Sequence, residues 1–388
     1  MWGDAMNAPA RISARAARID AVTDRALAEG RIVGSVILIA ERGEIVYRRA
    51  AGYLDRETGI PMREDAIFRL ASCTKPLVAA TALAMADEGK LGLEDAVDRW
   101  LPDFRPRFAG APATITIRHL LNHTSGFGYP VDEPGDPYRA VDMPAGLSLP
   151  GVGMEEMLRR LASVPLFHAP GTAWRYGMSI DVLGALIERA NGSTLAKAVA
   201  THVTGPLGMH DTAFGVTDVA RLAVPYADAK PRPIRMPDPY SVPMTAVNGG
   251  GTVFSPSRIF DPASFQSGGA GMAGTAGDFL RFLEALRTGG APILKTETVA
   301  LACRNQIGDL AREEKDAGWR FGYLSAVLDD PAAAHSPQSR GSLQWGGAYG
   351  HNWFIDPSAE LSVAEFTNTA FEGCNGPFRD EIVAAVYG

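Results

Sequence analysis

The stretch Phe68-Arg69-Leu70-Ala71-Ser72-Cys73-Thr74-Lys75-Pro76, continuing into Leu77-Val78-Ala79-Ala80-Thr81-Ala82-Leu83-Ala84-Met85, decides how this chain reads. An apolar lead-in stops at a hydroxyl residue. A run rich in Ala and Leu, strong helix formers, follows and ends at Asp87-Glu88-Gly89. Ser72 therefore falls at the first turn of a buried helix, with Lys75 three positions on. Positions i and i+3 share a helix face, so the ammonium reaches the hydroxyl. The free N–H groups of the first turn and the positive end of the helix dipole favour an anion at the same place. The plain alternative is an N-cap serine followed by a surface lysine. Lys75, however, opens an apolar helix beside Pro76, Leu77 and Val78, and no other Ser-x-x-Lys occurs in the chain. Both facts favour a nucleophile with its activator.

Composition narrows the surroundings. The 388 residues are 46% hydrophobic and 21% charged, an ordinary globular profile with ample material for a large core. Net charge is −7 with acids and bases interspersed, so there is no basic stripe for nucleic acid and no polybasic run for a membrane surface. Cys73, Cys303 and Cys374 are odd in number and far apart, which argues against a disulfide framework or a metal site and for reduced thiols in a cytoplasm. Cys73 adjoins Ser72, but consecutive helix residues diverge by about 100°, so only Ser72 shares a face with Lys75. The opening Met1-Trp2-Gly3-Asp4 lacks the pattern of a signal peptide, and no run of about 18 apolar residues offers a membrane span.

Residues 11–29 have the apolar spacing of an amphipathic helix. Residues 33–40 and 45–50, joined by Arg42-Gly43-Glu44, form a hairpin. From 101 to 210 the pattern is helical and loop-rich, with helices at 116–121, 154–163, 180–190 and 194–202 and a surface loop over 132–153. Later come a short strand at 251–254, a turn at Ser267-Gly268-Gly269-Ala270-Gly271-Met272 and a helix at 276–286. Strands at 322–328, 343–347, 352–356 and 361–366 and a helix at 378–387 close the chain. The expected architecture is α+β. Residues 1–85 and 210–388 build one antiparallel sheet flanked by helices, and 86–209 form a mainly helical inserted lobe.

Two further constellations carry chemistry. In Trp174-Arg175-Tyr176-Gly177-Met178-Ser179-Ile180-Asp181, Tyr176 is a candidate proton carrier. In Gln344-Trp345-Gly346-Gly347-Ala348-Tyr349-Gly350-His351-Asn352-Trp353, paired glycines after a strand tryptophan let a substrate approach the backbone. The N–H groups of Ala348 and Ser72 would then form an oxyanion hole.

Ser72-Cys73-Thr74-Lys75, Tyr176 and Trp345-Gly346-Gly347 together resemble the three signature elements of family VIII carboxylesterases, in the serine β-lactamase and penicillin-binding-protein-like superfamily close to class C β-lactamases. His119-Leu120-Leu121-Asn122-His123-Thr124-Ser125-Gly126 and Pro206-Leu207-Gly208-Met209 match it too, and the resemblance runs from about Ala16 to the end. It implies the β-lactamase/DD-peptidase-like fold, catalysis by Ser72, Lys75 and Tyr176, and no metal or cofactor. The departures matter. Class C enzymes carry Tyr-x-Asn and Lys-Thr-Gly, whereas here Gly177-Met178 follows Tyr176 and Trp345 replaces the lysine. An indole cannot hold a substrate carboxylate, which points to neutral small-molecule esters. The Gly-x-Ser-x-Gly elbow of α/β-hydrolases does not occur. Phe127, Tyr129, Met178, Trp345 and Trp353 are candidate pocket residues; Asp181 is a candidate support for Tyr176 and His351 for the oxyanion strand. β-Lactam or D-peptide hydrolysis, acyl transfer by the same Ser-Lys-Tyr set, and a non-catalytic binding protein are the rival readings.

Overall fold

The computed structural model describes residues 3–132, 134–243, 250–312 and 316–388. Met1 and Trp2 of the opening segment, and residue 133 of the 132–153 loop, lie outside the described residues. Helix α1 (Gly3–Ala28) leads into strands β1 (Gly34–Glu41), β2 (Glu44–Asp55) and β3 (Ile60–Pro61), and then into α2 (Thr74–Asp87). The middle of the chain contributes α3 (Ile117–Leu121), α4 (Met154–Ser163), α5 (Ser179–Asn191) and α6 (Leu195–Val199). The last third adds α7 (Ala276–Arg287), α8 (Thr296–Ala302), β4 (Trp319–Phe321), β5 (Ala326–Leu328), β6 (Leu343–Gly347), β7 (His351–Asp356) and β8 (Leu361–Thr367). Helices α9 (Glu372–Asn375) and α10 (Pro377–Tyr387) complete it.

The eight strands form one sheet in the order β4-β5-β6-β7-β8-β1-β2-β3. Every pairing in it is antiparallel. Strand β1 sits inside the sheet, bonded to β2 on one side and to β8 on the other, with Ser35 opposite Thr367. All eight residues of β1 are buried because both faces are covered. Side chains alternate across a strand. Val36, Leu38 and Ala40 join Trp353, Ala364 and Phe366 in the cluster that includes α2 and α7. Ile37 and Ile39 join Phe354 and Val363 under α1 and α10, against Ile19, Ala26, Phe378 and Ile382.

Helix α2 is apolar all round, as a fully enclosed helix must be. Every residue from Thr74 to Met85 is buried. The apolar cluster around it runs continuously into α3, α4, α5 and α6 through Leu120, Leu161, Leu183 and Leu195. We propose to treat residues 86–209 as the inserted lobe; α2 would then be the element shared by lobe and sheet.

One strand differs from its sequence reading. Residues 322–328 are not a continuous strand; β4 and β5 are a hairpin with 322–325 as its turn. A Cβ on Gly322 would lie 2.3 Å from the Ala302 carbonyl oxygen, so the chain runs tight against the end of α8. The Tyr323 N–H donates to that same oxygen at 2.9 Å, and Arg118 holds the Tyr323 hydroxyl. These contacts bend an apolar run that local preference alone leaves straight.

Candidate active site

The lead-in strand Phe68–Arg69 pairs with Ala273–Gly274, then tightens into a 3₁₀ turn, Ala71–Cys73, that feeds directly into α2. Ala71 holds φ at +46°, a left-handed value that costs energy for a residue with a Cβ and marks a backbone held by its surroundings. The turn leaves Ser72 partly exposed while its neighbours Ala71 and Cys73 are buried. Burial pushes the Cys73 thiol well above its ordinary range, so it offers no competing thiolate.

Lys75 is 4% exposed, and its ammonium donates to Ser72 Oγ at 3.1 Å and to the Gly269 carbonyl at 2.8 Å. Its Nζ also lies 4.7 Å from the centre of the Tyr176 ring and 5.1 Å from that of Tyr129. The geometry thus brings together an alcohol, an amine and a phenol from three separate segments. The Tyr176 hydroxyl accepts a hydrogen bond from Trp345 Nε1 at 3.3 Å. An indole N–H can only donate, so it fixes the phenol oxygen and leaves that oxygen's own proton free to move. Around Tyr176 stand Trp345, His123, Tyr129 and Trp174, with ring centres 5.0, 4.8, 5.4 and 6.3 Å away. Burial, with Lys75 and Arg312 nearby, drives the imidazole of His123 well below its usual range, so it packs there as a neutral ring.

The glycines after Trp345 also leave room for neighbouring protein. A Cβ on Gly347 would lie 2.4 Å from the Leu70 carbonyl oxygen, 2.9 Å from His351 and 3.2 Å from the Cys73 sulfur. One on Gly346 would lie 2.4 Å from the His351 carbonyl oxygen and 3.3 Å from Cys374. The missing side chains make room for protein on both faces of β6, and they allow the end of the strand to press against the turn that carries Ser72. Ala348, the next residue, is partly exposed and packs in the small cluster that includes Ala71. His351, opposite Gly347 in the ladder, donates from Nε2 to the Arg69 carbonyl at 2.8 Å. Burial pulls its imidazole down to about 4, so it is neutral and ties β7 to the segment just before the nucleophile.

Three expected pocket residues are elsewhere. Phe127, Met178 and Trp353 are each 0% exposed. Phe127 packs on Phe104 and Trp353 on Phe279 of α7, which makes them core. Tyr129 and Trp345 are partly exposed and stand beside Tyr176. Asp181, expected beside Tyr176, turns its carboxylate to the 267–269 turn: the Ser267 hydroxyl and the Gly269 N–H both bond its Oδ1. Sequence reasoning missed Gly269 as the acceptor for Lys75. It also missed Phe321, which meets Trp345 edge to face at 5.2 Å, and Arg312, whose guanidinium lies 5.4 Å from the centre of the Trp345 ring. For Gly269 the dense Gly run after Ser267 was the available signal.

The profile of the beta-lactamase family matches residues 19–387. The chain belongs to the beta-lactamase family. Within that family it is 52% identical to esterase EstB of Burkholderia gladioli over 374 residues, 96% of this chain and 95% of that protein. Its fold superimposes on EstCE1, described as a hydrolase with promiscuous acyltransferase activity, with a TM-score of 0.93 and 42% identity, over 97% of this chain and 99% of the other. A penicillin-binding protein homologue from Pyrococcus abyssi shares the fold at 20% identity and TM-score 0.70, over 95% and 75% of the two chains. The fold is therefore the α+β one of serine β-lactamases and penicillin-binding proteins. No helix among the described residues is long and apolar enough to cross a membrane.

Proposed function

We propose that this protein is a serine carboxylesterase of the family VIII type, hydrolysing neutral short-chain carboxylic esters through an acyl-enzyme on Ser72. The observation that carries the reading is Lys75 Nζ at 3.1 Å from Ser72 Oγ beneath the ring of Tyr176, with an indole where a carboxylate-binding lysine would stand. The Lys75–Tyr176 pair enters the step one proton short, as amine with phenol or as ammonium with phenolate, and takes up the Ser72 proton as Oγ attacks the ester carbonyl. The N–H groups of Ser72 and Ala348 receive the developing oxyanion. The tetrahedral intermediate collapses, the alkoxide leaves with the proton returned by the same pair, and water repeats the sequence to free the acid. Lys75 and Tyr176 act as one coupled pair. No step needs a metal or cofactor.

The match to EstB supports ester hydrolysis over β-lactam or D-peptide cleavage. Release of the acyl group to an alcohol instead of water is a second reading, supported by the description of EstCE1. We assign the protein to the cytoplasm on its free thiols, Cys73, Cys303 and Cys374. Hydrolysis of p-nitrophenyl esters from acetate to laurate, beside a chromogenic cephalosporin, tests the assignment. Ester cleavage fastest at short chains, with Ser72→Ala folded and about 10⁴-fold or more slower, is expected. Faster cephalosporin turnover, or a Ser72→Ala variant with intact activity, overturns it. Added alcohol that diverts product from acid to ester would establish the transfer reading.

A further inference from the structure

Lys75 is buried, and among the described residues its ammonium donates to neutral acceptors only: a hydroxyl and a carbonyl. A cation withdrawn from water needs a compensating charge nearby. That charge is one turn away. Asp181 is 0% exposed, and its Oδ1 accepts from the Ser267 hydroxyl and, at 3.2 Å, from the Gly269 N–H. Gly269 is also the residue whose carbonyl takes the Lys75 proton donor at 2.8 Å. One residue thus bonds to the carboxylate through its N–H and to the ammonium through its carbonyl oxygen. The second oxygen, Oδ2, is buried without a hydrogen-bond partner and faces the same glycine: a Cβ there would lie 2.5 Å from it and 2.9 Å from the Tyr129 hydroxyl. Only glycine fits between carboxylate, phenol and lysine.

We propose that Asp181 is a positioning residue for Lys75, acting through Ser267 and Gly269: its carboxylate offsets the ammonium's charge and, by fixing the turn, sets where Nζ meets Ser72. The inference rests on the Ser72–Lys75 reading above and moves Asp181 from the support of Tyr176 to that of the lysine. The charged and titratable groups around the pair are Arg258, from the turn Pro256–Phe260, and Tyr129, both facing Asp181. Tyr176, Tyr129 and His123 face Lys75.

Two variants separate charge from position. Asp181→Asn keeps the shape and removes the charge; Ser267→Ala keeps the charge and loosens the turn. With Asp181→Asn, kcat for p-nitrophenyl butyrate falls about 30-fold at a KM within about threefold of the parent, as for a misplaced catalytic group. The acid limb of its kcat/KM profile, which belongs to the Lys75–Tyr176 pair, moves to lower pH, because the pair loses a neighbouring anion. With Ser267→Ala, kcat falls about tenfold and the limb stays in place. A parental kcat in Asp181→Asn overturns the proposal, and so does a loss of rate with an unmoved acid limb, which a merely structural residue would give. If Asp181→Asn does not fold, a parental rate in Ser267→Ala overturns it. Parental behaviour in these variants beside an inert Ser72→Ala defeats this inference alone, whereas an active Ser72→Ala defeats the reading beneath it.

Discussion

Replacing Gly347 with alanine tests the claim that strand and nucleophile turn are fitted to one another. The added Cβ would sit 2.4 Å from the Leu70 carbonyl oxygen, and real Cβ contacts do not go below 3.0 Å, so turn and strand must part by at least 0.6 Å. The obstructing atom is backbone two residues before Ser72, not the end of a flexible side chain, and His351 and the Cys73 sulfur block the other directions at 2.9 and 3.2 Å. Overpacking of this kind costs about 1–3 kcal/mol. In a chain of this length that lowers Tm by about 1–4 °C. The kinetic effect is larger. The parting falls between Ser72 and Ala348, the two residues assigned to the oxyanion hole, and a misplacement approaching 1 Å costs up to about 10²-fold in rate. Steady-state hydrolysis of p-nitrophenyl butyrate, with thermal melts on the same samples, measures both. A Gly347→Ala variant within threefold of the parental kcat/KM would show that the close approach does not set the site, and the argument for Ala348 would fall with it.

Three other outcomes are expected. Trp345→Phe keeps the ring but loses the N–H that Tyr176 accepts, so kcat drops about tenfold, the value of one hydrogen bond; unchanged kinetics would refute a role for that contact. The imidazole of His351, held near 4 in the folded chain against an ordinary 6.5, leaves the unfolded chain binding more protons between those values. Its contribution is therefore intact above pH 6.5 and lost as pH falls towards 4, by about 2 kcal/mol at pH 5. Urea melts of the parent and of His351→Gln at pH 7 and 5 check this, and equal pH slopes would contradict it. Gly277 has open space, with nothing nearer its ideal Cβ than 3.9 Å, and lies in the first turn of α7. Gly277→Ala should raise stability by about 0.5–1 kcal/mol without altering the rate, and a lower Tm would argue against the helix geometry.

Local signals carried much of this structure. The Ala-rich run after Ser72 is buried over the whole span its composition indicates, and helix α4 begins and ends where its pattern does. The hairpin of β1 and β2 was legible because a β-branched run, Val36-Ile37-Leu38-Ile39, precedes the turn Arg42-Gly43-Glu44 and Ile45-Val46-Tyr47 follows it. The misreadings share one origin. Gly322-Tyr323-Leu324-Ser325 looks extended locally but is bent by contacts with α8 and α3, far away in sequence. Phe127, Met178 and Trp353 have the chemistry of pocket residues; only packing against Phe104 and α7 reveals them as core. The glycines of Trp345-Gly346-Gly347 signalled a close approach correctly, while its partner, the Leu70 carbonyl, could come only from the fold.

The placement of β1 inside the sheet bears on how the protein is made. Its partner β8 is translated more than three hundred residues later, so the N-terminal hairpin must wait on the ribosome for the strand that covers its open side. The strand that presses on the Ser72 turn also emerges late. A growing chain therefore carries its serine long before it has the wall that makes the serine useful, and hydrolytic competence arrives only with the final strands.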